Sequence, residues 1–207
     1  INWMGITSIG SSENSSWNIQ PLGVYLYEGL GGIAIFYNAL QQTEFGTNLS
    51  EACKAFDNVL FQYTNDMLER SNGLESESSG AFAGEASVMY VYEVLYKITG
   101  KREYLEYAEK HCKILAHTLT GDKNNDVVYG NAGAVVVLLN IYRLSQKEKY
   151  LQMACEAGDI LIQNQNEGKW GCGNGQTLSG FSHGVAGIIY ALAKLNSEQS
   201  KSIYTQA

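Results

Sequence analysis

Proline is nearly missing from this chain. The single one, Pro21, comes early, so nothing after it forces a helix to break. Histidine is almost as scarce, with three in 207 residues. The four cysteines, Cys53, Cys112, Cys155 and Cys172, form no CxxC pair, which removes zinc-ribbon and thioredoxin-type readings. A disulfide framework is a poor fit to a chain with this much core, so the thiols are read as reduced and the protein as cytoplasmic. Basic charge is also lacking. The formal net charge is -7, which argues against nucleic acid as a partner. No apolar run approaches the roughly 20 residues needed to span a bilayer, so no membrane-spanning segment is expected. The opening "INWMGITSIG" has no charged region of a signal peptide and no initiating methionine, and is read as the start of an excised segment.

What the chain does have is repetition. "GLGGIAIFYNAL" from Gly29, "AFAGEASVMYVYEVL" from Ala81, "GNAGAVVVLLNIY" from Gly130 and "GVAGIIYALAKL" from Gly184 share one pattern. Each has a small residue, two residues, a glycine and then an apolar run. The glycines Gly32, Gly84, Gly133 and Gly187 are spaced 52, 49 and 54 residues apart, a period that signals a repeat architecture. Amphipathic stretches lie between them. In Leu49 to Arg70 the apolar residues Ala52, Phe56, Val59, Leu60, Tyr63 and Met67 follow helical spacing. The glycine-led segments are apolar nearly all round, as buried helices are. Each repeat therefore predicts one inner and one outer helix. The fold class expected is all-α, an α/α toroid of helical hairpins, with four hairpins forming an open arc. That arc should leave apolar inner-helix surface exposed near Ile188 to Leu195 and favour association.

Several side chains have a structural reading. Cys53, Cys112 and Cys155 sit mid-way along outer helices and should face the inner ones. His111 and His117 are expected at the surface or near a helix end. Tyr25 and Tyr27 are read as packing residues, and Trp170 and Cys172 as loop packing. The stretch "SIGSSENSSWN" is expected to be a loop, flanked at most by short extended pieces. Small residues at the inner-helix starts should leave backbone N–H groups aimed at a shared cavity, where the helix dipoles favour an anion.

The four glycine segments together resemble the lanthionine synthetase C-like cyclase family, and most of all the C-terminal cyclase domain of class II lanthipeptide synthetases. "LYEGLGGIAIFYNAL", "SGAFAGEASVMYVYEVLY" and "DVVYGNAGAVVVLL" resemble its first three glycine motifs; "LSGFSHGVAGIIYAL" resembles its histidine-glycine motif. The resemblance implies that residues 1–207 are part of one cyclase domain, carrying four of about seven repeats. It implies a reaction that adds a cysteine thiol to dehydroalanine or dehydrobutyrine in a precursor peptide. The partners implied are that peptide and the remainder of the synthetase chain. The family holds zinc through two cysteines and a histidine in later repeats. "HCKIL" has the pair reversed and Cys172 precedes the histidine motif, so no metal ligand carries over and this segment is expected to be inactive alone. Two residues do carry over as catalytic, His183 and Asp126. Glu28 and Tyr129, each one residue before a repeat glycine like His183, are candidates to line the same mouth. Two competing readings are a peptide-binding helical scaffold without chemistry and an α/α-barrel glycoside hydrolase using Glu28 and Asp126.

Overall fold

Past Pro21 the helices run uninterrupted, as its isolation requires. A computed structural model describes residues 3–11, 14–70, 78–171, 176–199 and 204. Two antiparallel strands come first, β1 (Met4–Ser11) and β2 (Asn14–Pro21), with Ile6 opposite Ile19 and Ser8 opposite Trp17. Seven α-helices follow among the described residues: α1 (Leu30–Gln41), α2 (Ser50–Arg70), α3 (Glu85–Thr99), α4 (Arg102–Gly121), α5 (Asn131–Ser145), α6 (Glu148–Gln163) and α7 (Val185–Gln199).

The odd-numbered helices are the glycine-led segments. They pack in chain order, α1 on α3, α3 on α5 and α5 on α7, while α2, α4 and α6 lie behind them as outer partners. On α5, Ala132, Ala134, Val135, Val137, Leu138, Leu139 and Ile141 are all buried, so the helix is apolar on nearly every side. On α4 burial follows one stripe, Tyr104, Ala108, His111, Cys112, Leu115 and Leu119. This all-α hairpin arrangement is the expected one. Three hairpins are described in full; the stretch that would pair with α7 in the fourth lies outside the described residues except for Tyr204, which is buried with its hydroxyl donating to Asp159 at 2.6 Å.

The N-terminal stretch departs from the expected loop. Residues 4–11 and 14–21 are paired strands, because Ile6, Trp17 and Ile19 alternate with Thr, Ser and Asn at the period of two that extended backbone uses. The hairpin is anchored at its base. Trp3 stacks on Phe56 of α2 with ring centroids 4.6 Å apart, and the Leu22 N–H donates to the Trp3 carbonyl. His111 also departs from expectation: it is fully buried, whereas His117 is exposed as anticipated. Its position on the apolar stripe of α4, three residues from Ala108 and four from Leu115, is the reason. No described helix is long and apolar enough to cross a membrane.

Candidate functional site

The loops that lead into the inner helices converge at one end of the molecule. A ladder of backbone hydrogen bonds joins them. The Val127 and Val128 N–H groups donate to the Ser182 carbonyl, Ala81 N–H to the Val127 carbonyl, Phe82 N–H to the Val128 carbonyl, and Tyr27 N–H to the Phe82 carbonyl. The first N–H of each inner helix is occupied as well. Leu30, Glu85, Asn131 and Val185 donate to the carbonyls of Gly23, Ser78, Asn124 and Leu178, each seven residues upstream. The first N–H of each inner helix is therefore not open to a cavity, contrary to the expectation. The upstream loop folds back and caps each helix, leaving those donors committed to protein carbonyls.

His183 ends the loop before α7, and Asp126 opens the turn before α5. The structure brings them together. The His183 Nδ1 lies 2.9 Å from Asp126 Oδ2, while Asp126 Oδ1 accepts the Tyr129 N–H at 2.7 Å. The second bond reaches the backbone three residues on, the local contact of a capping or turn aspartate. Tyr129 stacks on the imidazole with centroids 5.7 Å apart and planes 20° from parallel. The His183 side chain is about half exposed at 46%, and that of Asp126 is 11% exposed. A carboxylate accepts hydrogen bonds only, so this contact places the proton on Nδ1 and makes Nε2 the basic nitrogen.

His183 opens onto a cleft of about 500 Å³ walled by Leu26, Tyr27, Phe82, Val127 and Phe181. Phe82, Val127 and Phe181 continue into a smaller cavity of about 290 Å³ along α3, α5 and α7, reaching Arg143 and Lys194. Tyr27 is thus a cleft wall in edge contact with Phe82, rather than the packing residue expected, while Tyr25 packs against the core. Glu28 is placed elsewhere, in a neighbouring cleft under the β-hairpin. Glu28 and Asp126 line no common cleft among those described, so nothing pairs them as the carboxylates of a glycoside hydrolase. Trp170 is buried and donates its indole N–H to the Leu161 carbonyl at 2.7 Å, packing its loop on α6. Cys172 lies outside the described residues.

The donor set does not fit a zinc site. Among the described residues no three His, Cys, Asp or Glu side chains come together as metal ligands. Cys53, Cys112 and Cys155 are buried on separate outer helices. Burial pushes the Cys112 thiol up to about 12, and its Sγ lies 3.3 Å from Met153 Sδ, so it is a protonated packing group. Burial likewise raises Cys53.

The sequence reading missed a second imidazole–carboxylate pair. Glu85, the first residue of α3, meets His111 of α4 at 2.5 Å (Oε1 to Nδ1), and both side chains are completely buried. The signal was present in the helical spacing of His111.

Residues 20–207 match the family model described as lanthionine synthetase C-like protein. A zebrafish (Danio rerio) protein named glutathione S-transferase LANCL1 is 31% identical over 112 residues, 54% of this chain and 27% of that protein. The lacticin 481/lactococcin biosynthesis protein LcnDR2 of Lactococcus lactis subsp. lactis is 23% identical over 199 residues, 92% of this chain and 19% of that protein. The chain thus spans about a quarter and a fifth of the lengths of these two relatives.

Proposed function

The chain belongs to the lanthionine synthetase C-like protein family, and on that premise we propose that its His183 cleft serves thioether ring formation in a precursor peptide. The observation that carries this reading is the His183–Asp126–Tyr129 constellation at the edge of an apolar cleft. In the proposed step, His183 Nε2 takes the proton from a peptide cysteine thiol. The sulfur forms a bond to Cβ of dehydroalanine or dehydrobutyrine, and the alkene electron pair moves to give an enolate. The imidazolium then returns the proton to Cα, so atoms and charge balance. His183 is the catalytic residue. Asp126 is a positioning residue: it fixes the tautomer and ring orientation, and Tyr129 holds the ring from the other side.

Two relatives support the class of chemistry. One is named as a transferase of glutathione, itself a thiol, and the other as a lacticin 481/lactococcin biosynthesis protein. The family's zinc would acidify the substrate thiol, but the described residues supply no ligand set for it and the proton steps above use none.

The test is ring closure by the full-length chain on a dehydrated precursor peptide, followed by thiol alkylation and mass spectrometry. We expect His183→Ala to slow closure by about 100-fold or more while metal content stays unchanged. Asp126→Asn should lower kcat with little change in KM, as loss of orientation rather than binding requires. Wild-type rates in His183→Ala, or metal lost with it, would overturn the assignment. Peptide bound but never cyclised by the wild-type chain would favour the scaffold reading.

A further inference from the structure

The β-hairpin and the start of α1 enclose a cleft of about 650 Å³. Met4, Ile6, Trp17 and Ile19 share one face of the hairpin, because opposed residues in antiparallel strands point the same way and residues two apart repeat it. All four are between 56% and 76% exposed, and together they make a continuous apolar face. Ile6 and Trp17 form one wall of the cleft; Leu26, Gly32 and Ile33 stand opposite. Glu28 is the one charged residue among those lining it. Its backbone is held at φ 57, a left-handed conformation that disfavours every residue except glycine. Tyr129 and His183, at the equivalent repeat position, do not share that conformation. Among the described residues no cation pairs with Glu28. Leu26 belongs both to this cleft and to the one at His183, so the two adjoin across its side chain.

We propose that this cleft seats an extended peptide segment whose lysine or arginine side chain pairs with Glu28, with an apolar neighbour against Ile6 and Trp17. An indole face attracts a cation and an unpaired carboxylate completes the recognition. The apolar wall suits alternate side chains of an extended strand. The inference rests on the peptide-modifying reading above and deepens it: the seated segment flanks the residue that reaches His183. It selects substrates that carry a basic residue near the ring-forming site.

The test uses the full-length chain and a fluorescein-labelled peptide, Leu-Ser-Lys-Ser-Leu, beside its Gln-for-Lys counterpart. Neither contains cysteine or a dehydro residue, so binding is read without any reaction. By fluorescence polarisation at low salt, the Lys peptide should bind about five- to tenfold more tightly. That preference should fall with added salt. Glu28→Gln should erase the preference, Trp17→Ala should weaken both peptides, and Glu28→Lys should prefer a Glu-containing peptide. Equal binding of the two peptides, or a preference unchanged in Glu28→Gln, would overturn the proposal. A dimer broken by Trp17→Ala, with no peptide binding, would give the surface to a second copy and overturn it too. Peptide binding as described in a chain that never closes rings would sink the cyclase reading while leaving this site standing.

Discussion

Glu85 and His111 show how much one residue can depend on another. Each is fully buried, and they share one short hydrogen bond between the inner helix α3 and the outer helix α4. Among the described residues, Glu85 Oε2 and His111 Nε2 have no further hydrogen-bond partner. Removing one member strands the other in the core, which costs about 3 kcal/mol. Removing both leaves no polar group behind. We therefore expect His111→Leu and Glu85→Met each to lower the urea-unfolding free energy by about 3 kcal/mol. The double variant should lose about 2 kcal/mol less than their sum. Additive losses would mean the pair is not coupled. This residue was misread from sequence because its charge type outweighed its place on the stripe of Ala108 and Leu115. His183 and Asp126 were picked out through the family resemblance of the motifs that carry them, not through any local pattern of their own. Their mutual distance and the stacking of Tyr129 depend on how neighbouring loops dock, which no local pattern encodes.

At the level of the helix and its leading loop, the repeat glycines have a common geometric cause. A Cβ on Gly133 would come within 2.2 Å of the Val127 carbonyl oxygen, and one on Gly187 within 2.0 Å of the Phe181 carbonyl oxygen. Gly32 faces the Leu26 carbonyl in the same way, whereas Gly84 is the N-cap of α3 and meets the Gly80 nitrogen and the Ser78 carbonyl, as Gly130 and Gly184 meet the carbonyls of Asn124 and Leu178 just before α5 and α7. The glycine is needed because the loop folds back onto the first helical turn. Sequence placed Gly32, Gly133 and Gly187 in register correctly but not Gly84, which stands three positions earlier in its repeat, in step with Gly29, Gly130 and Gly184. It did not reveal that the same fold-back occupies the first N–H of each inner helix, because a capping carbonyl leaves no mark in residue type. Gly187→Ala should push the Phe181–Ser182–His183 loop away from α7. We expect a loss of about 1–3 kcal/mol in thermal or urea unfolding, together with slower ring closure. Gly180→Ala in the same loop meets nothing within 4 Å and should stay within about 0.5 kcal/mol of the parent. A Gly187→Ala variant as stable as Gly180→Ala would contradict the close-approach account.

Across the whole molecule, the row of inner helices has two different ends. At the α1 end Trp3, at the foot of the β-hairpin, stacks on Phe56 of α2, an arrangement that strand pairing over many residues made hard to foresee. At the other end, α7 packs on α5 and α6 through Ile188, Ala191, Leu192 and Leu195. These lie within the very stretch expected to be exposed. The exposed side chains are instead Ile189 and Tyr190, beside Phe181 at the cleft. The segment was located correctly, but the helical phase decides which of its residues face outward. Ile189, Tyr190 and Phe181 are between 40% and 51% exposed and adjacent, a patch that seeks an apolar partner in water. The 207-residue chain should therefore self-associate in sedimentation experiments as concentration rises. Ile189→Lys together with Tyr190→Lys should shift it toward the monomer, through both lost apolar area and added like charge, with the helical circular dichroism signal retained. If the parent chain sediments as a single monomer at every concentration, this face is not sticky and the burial of α7 on α5 and α6 alone suffices for solubility.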